Sequence, residues 1–175
     1  LSNGGWQERW KISLPPHGKP VFTTNYENGI SDMDSGAGNE LTVGTWKHVV
    51  MVHDGTKDKI FVNGVLANSK DVLGKLNRTK YPLGIGNNPI DAGNYFKGSL
   101  DDIQIYNRAL SDAEVAALYT AQNAAPNYPD DLVANYTFSG NANDETPFSN
   151  NAQVAGAQLG NDRFDKANQA YALNG

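Results

Sequence analysis

The stretch from Thr45 to Tyr106 decides the fold class. It contains T-W-K-H-V-V-M-V-H-D-G (45–55), K-I-F-V-N-G-V-L-A (59–67), P-L-G-I-G-N-N (82–88) and F-K-G-S-L-D-D-I-Q-I-Y (96–106). Each segment is short, alternating or β-branched in character, and bounded by Gly, Asn or Asp. Short strands with turn signals at this density are typical of antiparallel sandwiches. We therefore predict an all-β protein, an antiparallel β-sandwich of the jelly-roll type with one short peripheral helix.

Two local motifs predict particular elements. Asn63-Gly64 separates the apolar runs I-F-V and V-L-A. This dipeptide favours a β-hairpin because a type I′ turn needs positive φ at both central positions. The run S-D-A-E, from Ser111 to Glu114, is a capping box that predicts the start of a helix. Val115, Leu118 and Tyr119 follow as a narrow apolar stripe, so we expect about two helical turns lying against the sandwich rim.

The beginning of the chain predicts a pair of strands and a loop. In Gln7–Leu14 apolar and polar residues alternate, which indicates a strand, and a proline turn follows it. Pro20–Asn25 has the pattern of the returning strand. The stretch Asn28–Asn39 is polar and rich in glycine, so it predicts a loop.

Composition narrows the possible partners. The 175 residues carry a net charge of −5, with 39% hydrophobic and 19% charged residues and no cysteine. Nucleic acid is not an expected partner, because binding phosphates requires clustered Lys or Arg and the basic residues here are scattered. No apolar stretch approaches the roughly 20 residues that span a bilayer, so no membrane insertion is expected. The chain starts at Leu1 without an apolar leader, so we expect it to be part of a longer protein.

The quoted motifs resemble a known family. G-T-W-K-H-V-V-M-V-H-D-G, I-F-V-N-G-V-L and F-K-G-S-L-D-D-I-Q-I-Y-N-R-A-L-S-D-A-E-V are similar to the second half of a laminin-G-like domain (LamG/pentraxin type). That family belongs to the concanavalin A-like lectin/glucanase superfamily. The similarity covers Leu1–Gln122. The segment Leu132–Gly175, which begins L-V-A-N-Y-T-F-S-G-N-A-N-D-E-T, resembles the opening of such a domain.

The order of these segments departs from the family, in which the opening comes first. The chain is either the tail of one repeat followed by the head of the next, or a permuted domain. We predict a sandwich over 1–122, a linker over 123–131 and an opening segment over 132–175. A fragment of 44 residues buries too little surface to fold alone. We therefore expect the opening segment to pack into the same sandwich, in cis or by strand exchange with another copy.

The resemblance implies a structural calcium ion between the N-A-N-D-E-T turn and the D-D strand. Carried over to this chain, Asp144 and one of Asp101 and Asp102 are side-chain ligands, with carbonyl groups near Asn141 completing the shell. Calcium takes six to eight oxygen ligands, which suits this composition. The chain has E-T-P at 145–147 where relatives have Ser-Gly after the acidic residue. The alternative is that Asp144 caps a turn and that the other two aspartates are solvated charges at a strand end.

Carbohydrate binding is the second chemistry to consider. Sugar sites combine an aromatic face for the apolar side of a pyranose with amide and carboxylate groups for its hydroxyls. The candidate residues are Trp6, Tyr26, Asn87, Asp91, Asn94 and Tyr95. The alternative is that the aromatic residues serve packing. On that view Trp10, Trp46, Phe61, Tyr106 and Tyr136 are core residues, while Tyr95 and Trp6 only cover loops.

Catalysis has little support in the sequence. The superfamily's glucanases carry E-x-D-x-x-E on one strand face, and this chain has no such run. Asp101 and Asp102 are adjacent, so on a strand their side chains point to opposite faces, which does not suit an acid–nucleophile pair. His48 and His53 also fall on opposite faces of their strand, so they do not suit a shared metal. We predict that the chain is not an enzyme.

Three classes of function remain. The first is a non-catalytic module that binds a polysaccharide or glycoprotein and belongs to an exported multi-domain protein, with the calcium ion as a structural cofactor. The second is a structural or adhesion repeat of a surface protein. The third is a glycoside hydrolase or lyase. The family resemblance favours an extracellular or cell-surface location.

Overall fold

The computed structural model describes residues 1–4, 8–90, 93, 95–121 and 132–174. The chain divides into two compact units. The first unit comprises Leu1–Asn94 and Ala109–Ala124, and the second comprises Tyr95–Arg108 and Ala125–Gly175. Antiparallel strands and one helix make up the regular structure of the described ranges, so the predicted all-β class is confirmed.

The first unit contains two sheets. Its strands are β1 (Ser2–Asn3), β2 (Trp10–Ser13), β3 (Val21–Tyr26), β4 (Gly29–Asp34), β5 (Val49–His53), β6 (Lys57–Val62), β7 (Val65–Asp71) and β8 (Leu83–Gly84). One sheet has the strand order β4-β3-β2-β1-β8, and the other has the order β5-β6-β7.

The core of the first unit is built by residues from both sheets. Phe22 and Met33 from the larger sheet form one buried cluster with Ile60 and Val62 from the smaller sheet. The partly buried Trp10, Ile12, Met51 and Ala67 pack against this cluster. The two sheets therefore pack face to face, as the alternation of apolar residues predicts.

The predicted hairpin is confirmed. Val62 pairs with Val65, and the two residues between them have the positive φ angles of a type I′ turn, 52° at Asn63 and 76° at Gly64. An alanine at position 64 would also place its Cβ 2.8 Å from the Cβ of Tyr119, so only glycine leaves room for the helix beside the turn.

The predicted helix is also confirmed. Helix α1 spans Asp112–Thr120 in the first unit. Ser111 Oγ accepts a hydrogen bond from the Glu114 N–H at 3.3 Å, and Glu114 Oε2 accepts one from the Ser111 N–H at 2.7 Å. Val115 is fully buried, and Lys59 Nζ donates to Asp112 Oδ1 at 2.7 Å.

The loop prediction over Asn28–Asn39 is wrong for half of its length. Residues 29–34 form β4, which pairs with β3 in unbroken register from Tyr26–Gly29 to Val21–Asp34. Ser31 and Met33 are buried. The pairing with β3 and the burial of one face outweigh the polar, glycine-containing composition, because strand preference depends on cross-strand context.

The second unit joins strands from two separate parts of the sequence. Its strands are β9 (Lys97–Leu100), β10 (Ile103–Tyr106), β11 (Leu132–Tyr136), β12 (Gln158–Gly160) and β13 (Ala170–Asn174). Strand β10 pairs with β11, and β12-β13-β9 form a sheet. Strands that follow the predicted linker thus pair with strands that precede the helix, within one chain. The linker 123–131 lies outside the described residues.

Aromatic rings form part of the packing of the second unit. Tyr136 and Phe138 are buried, with ring centroids 6.3 Å apart. Phe138 meets Tyr171 edge to face at 5.2 Å. These residues come from β11, β13 and the chain after β11, so the C-terminal segment supplies its own aromatic cluster. Within the described ranges, no helix has the length and apolarity needed to cross a bilayer.

Candidate functional site

Tyr26 is the last residue of β3, and the amide side chain of Asn77 contacts its backbone. Its side chain is partly buried, and its ring centroid lies 6.4 Å from that of His53. Asn77 Nδ2 donates to Asn25 Oδ1 at 2.5 Å and to the Tyr26 carbonyl at 3.4 Å. The strand end therefore presents an aromatic ring next to a pair of hydrogen-bonded amides.

A buried polar network supports this end of the unit. Asp58, which is fully buried, accepts a hydrogen bond from Thr24 Oγ1 at 2.6 Å. His53 Nδ1 lies 2.8 Å from the other carboxylate oxygen of Asp58, and His53 Nε2 lies 3.0 Å from the Gly74 carbonyl. Both ring nitrogens are thus engaged, which fixes the imidazole that contacts Tyr26.

The turn after β3 is tied to the loop around residues 73–77. Glu27 Oε2 accepts from the Lys75 N–H at 3.2 Å, and Asn28 Nδ2 donates to the Leu73 carbonyl at 2.6 Å. Gly74 has φ +128°, and a Cβ there would lie 3.0 Å from the Glu27 Cβ, so the close approach requires glycine. We call Tyr26, Glu27, Asn28 and Asn77 the Tyr26 rim.

The structure does not bring all predicted sugar-binding residues together. Asn87 is exposed, and its carbonyl accepts from Ser2 Oγ at 3.3 Å. Two strands, β2 and β1, separate β3 from β8 in the sheet. At about 4.8 Å per strand, β3 and β8 lie roughly 14 Å apart, so Tyr26 and Asn87 do not line one pocket. Tyr95 belongs to the second unit and is 58% exposed. Trp6, Asp91 and Asn94 lie outside the described residues.

Asp144, a predicted calcium ligand, has four hydrogen-bond donors around its buried carboxylate. Oδ1 accepts from the backbone N–H groups of Asn135 (2.9 Å) and Thr146 (3.0 Å). Oδ2 accepts from Thr146 Oγ1 and from the Asn150 N–H, both at 2.8 Å. Burial opposes ionisation, but these hydrogen bonds outweigh it and hold the pKa of Asp144 below its usual value. The Asp144 carboxylate therefore connects its own turn to β11 and to the backbone at Asn150.

The other predicted calcium ligands also have partners within the chain. Arg163 Nη1 donates to Asp101 Oδ2 at 3.0 Å and to Asp102 Oδ2 at 2.6 Å. Burial, followed by the charge of Asp102, raises the pKa of Asp101 to about 6 even though Arg163 acts in the opposite direction. The Asn141 side chain is exposed and accepts from the Asn143 N–H at 2.7 Å.

As arranged here, these residues do not fit a calcium ion. A carboxylate has about four acceptor positions, and donors within the chain fill those of Asp144. A guanidinium group occupies the position facing Asp101 and Asp102. Among the described residues, no group of three or more His, Asp or Glu side chains is placed to hold a metal.

Sequence reasoning missed two features. The packing alternative counts Trp46 among the core residues, but β5 begins only at Val49 and Trp46 is 38% exposed. Arg163 was not singled out, because nothing local in N-D-R-F-D-K shows that it reaches aspartates about 60 residues earlier. The polar turn residues around Arg163 were the one available signal, and they indicate only a tight loop.

Comparison with known proteins assigns the family. A laminin G family model, described as the concanavalin A-like lectin/glucanases superfamily, matches residues 1–116. The chain belongs to this laminin G-like family. A search of curated proteins gave no match. One similar solved structure covers residues 221–444 of an S-layer domain-containing protein from Clostridium thermocellum, with 24% identity and a TM-score of 0.39. The match covers 68% of this chain and 59% of that one.

Proposed function

We propose that this laminin G-like chain is a non-catalytic module that binds a polysaccharide or glycoprotein and belongs to an exported multi-domain protein. Membership of a lectin-like superfamily supports a role in recognition outside the cell or at its surface. The observation that carries the proposal is the Tyr26 rim. There, an aromatic ring held by His53 stands beside amide and carboxylate groups at the end of a strand.

The chemistry of the rim suits a sugar. The partly buried ring of Tyr26 offers an apolar face against which the C–H face of a pyranose packs. Glu27 and Asn28 are exposed next to it, and Asn77 is half-buried. Glu27 Oε2 and the amide nitrogens of Asn28 and Asn77 are engaged within the chain, so sugar hydroxyl groups would donate to Glu27 Oε1 and to the side-chain carbonyl oxygens of the two asparagines. The network beneath the rim keeps the ring in place, which lowers the ordering cost of binding.

The carboxylates at this end favour binding over hydrolysis. An acid–nucleophile or acid–base pair must reach both sides of one glycosidic bond. Glu27 is exposed, but Asp58 is fully buried and hydrogen-bonded to Thr24 and His53. A substrate at the Tyr26 rim would therefore meet one of these carboxylates, not both.

One observation favours a second candidate, a structural or adhesion repeat. Strands β11 and β13, from the segment that resembles a domain opening, pair with β10 and β9. The same pairing between two copies would link chains by strand exchange. A molecular mass in solution that rises with protein concentration, together with no glycan binding, would favour this candidate.

Glycan-array binding tests the first candidate. The wild-type chain should bind a defined set of glycans on the array. Tyr26→Ala should weaken this binding at least about tenfold, which corresponds to about 1.4 kcal/mol. Tyr26→Phe keeps the ring and should keep most of the binding. Phe148→Ala removes a ring of the second unit that is 58% exposed and is not a candidate binding residue, so it serves as the control, with no expected effect. Unchanged melting of each variant shows that the fold is intact.

Two results would overturn the proposal. One is a wild-type chain that binds no glycan on the array. The other is a Tyr26→Ala variant that binds as well as wild type. Release of reducing sugar from generic polysaccharides by the wild-type chain would establish catalysis and contradict the non-catalytic part.

A further inference from the structure

Two adjacent aspartates occupy the short connection between β9 and β10 in the second unit. The side chain of Asp101 is only 6% exposed and that of Asp102 is 46% exposed. Two neighbouring carboxylates repel each other, and burying one of them costs free energy unless a cation lies nearby. Their backbone connection is constrained as well, since Asp102 has φ +49°. This acidic pair therefore requires a positive partner.

Arg163 provides that partner from the connection between β12 and β13. Its Nη1 atom donates to Oδ2 of both Asp101 and Asp102. The guanidinium carbon lies 4.7 Å from the ring centroid of Phe164, which supports its flat face. The Arg163 side chain is 22% exposed, so the pairing is partly shielded from solvent.

The loop that carries Arg163 has a defined shape. Asp162 Oδ1 accepts from the N–H groups of Phe164 at 2.7 Å and Lys166 at 2.9 Å. The Asp162 N–H donates to the Lys166 carbonyl at 3.0 Å, which closes the loop. These hydrogen bonds fix the backbone of the loop that carries Arg163. Little further ordering of the backbone is therefore needed for Arg163 to pair with the aspartates.

We propose that Arg163 is the resident cation of the Asp101–Asp102 pair and takes the place of the calcium ion that the family resemblance implies. Through its hydrogen bonds to both aspartates, the guanidinium group links the β9–β10 connection to the β12–β13 loop. It thereby fastens the C-terminal segment to the strands that precede the helix. The second unit is then stable without a divalent ion. This inference is independent of the proposed glycan binding.

Thermal unfolding with and without calcium tests whether Arg163 takes the place of the ion. The wild-type chain should show the same Tm in about 2 mM CaCl2 as in about 2 mM EDTA at matched ionic strength, because Arg163 already neutralises the Asp101–Asp102 pair. Arg163→Gln should lower Tm by roughly 5 °C, since it leaves a buried carboxylate unpaired. In this variant, calcium should restore part of the lost Tm. Arg9→Gln removes a positive charge from an exposed residue of the first unit, and it should change neither the Tm nor the response of the Tm to calcium.

A double-mutant cycle shows whether Arg163 acts through the aspartates. Asp102→Asn is well tolerated at positive φ, because asparagine adopts this conformation readily. The Tm losses from Arg163→Gln and Asp102→Asn should be less than additive when combined. If Arg163→Gln does not fold, Asp102→Asn alone and calorimetric calcium titration of the wild-type chain still test the proposal.

The results that would overturn it are specific. A wild-type Tm that rises by several degrees in calcium, or a calorimetric signal for calcium binding, would show that the pair holds a metal if Asp102→Asn abolishes the effect. Fully additive losses in the double mutant would show that Arg163 does not act through Asp102.

Discussion

Thr24 and Asp58 lie on the two facing sheets of the first unit, and the Thr24 hydroxyl donates to the Asp58 carboxylate over 2.6 Å. Neither side chain is exposed to solvent. The bond therefore crosses the sandwich interior from β3 to β6. It also anchors the carboxylate that holds His53 beside Tyr26, so core packing and the candidate binding site share one network.

Replacing Thr24 with valine tests that network. The change keeps the shape of the side chain but removes the donor, so it leaves an oxygen of a buried carboxylate unsatisfied. We expect a loss of about 1–3 kcal/mol in the free energy of unfolding, measured by urea denaturation. Thr23→Val is a matched control, because Thr23 is equally buried but bonds the exposed Asp32. Equal losses in the two variants would contradict this account.

The turn at Gly64 makes a second prediction. Gly64→Ala adds a side chain at φ +76° and 2.8 Å from the Cβ of Tyr119, so it combines backbone strain with a clash. We expect a loss of about 2–4 kcal/mol. Gly38 has a similar φ of +83°, with open space around it. Gly38→Ala should therefore lose only the free energy that corresponds to backbone strain, about 1 kcal/mol. Similar melting temperatures for the two variants would show that helix α1 does not pack against the turn as described.

Asp144→Asn should destabilise the second unit by roughly 3 kcal/mol, because an amide nitrogen would face donors that now bond a carboxylate oxygen. The acid response should change too. The folded pKa of Asp144 lies below its usual value, so its contribution to stability is present above the unfolded pKa and is lost as pH falls through the folded pKa. The urea concentration at the unfolding midpoint of the wild-type chain should therefore decrease as the pH is lowered below about 4. The Asn variant should show a smaller fall, and an identical acid response in both would refute this role.

Asp101 has the opposite pH dependence. Its folded pKa, about 6, exceeds the unfolded value of 3.8, so the folded state binds the proton more tightly. The stabilisation is complete below the unfolded pKa and is lost as pH rises through the folded pKa. Compared with wild type, Asp101→Asn should therefore gain in relative stability between about pH 4 and about pH 7, as measured by urea midpoints. Stability curves of the two chains that run parallel over this pH range would contradict the raised pKa of Asp101.

Local signals in the sequence predicted the elements whose causes are local. The Asn63-Gly64 turn and the Ser111–Glu114 capping box depend on backbone geometry and on hydrogen bonds a few residues apart, and both were predicted correctly. Strand β4 was missed because its stability comes from pairing with β3 and from burial of Ser31 and Met33. Composition alone does not reveal such pairing.

The candidate sites depended on contacts that sequence spacing does not show. Tyr26 was named from its neighbours Asn25 and Glu27, but His53 and Asn77 reach it only in the folded chain. The acidic residues suggested calcium through a family resemblance. In the structure, Arg163 contacts Asp101 and Asp102, and backbone N–H groups contact Asp144; the sequence spacing shows neither contact.

Glycan binding at the Tyr26 rim can be located by two-dimensional ¹H–¹⁵N NMR, with chemical-shift mapping during titration with a glycan that the wild-type chain binds on the array. We expect the largest saturable shifts on Tyr26, Asn28 and Asn77, with the His53 ring responding as well. Saturable shifts that cluster instead around Tyr95 or Trp46, with the Tyr26 rim unchanged, would contradict it.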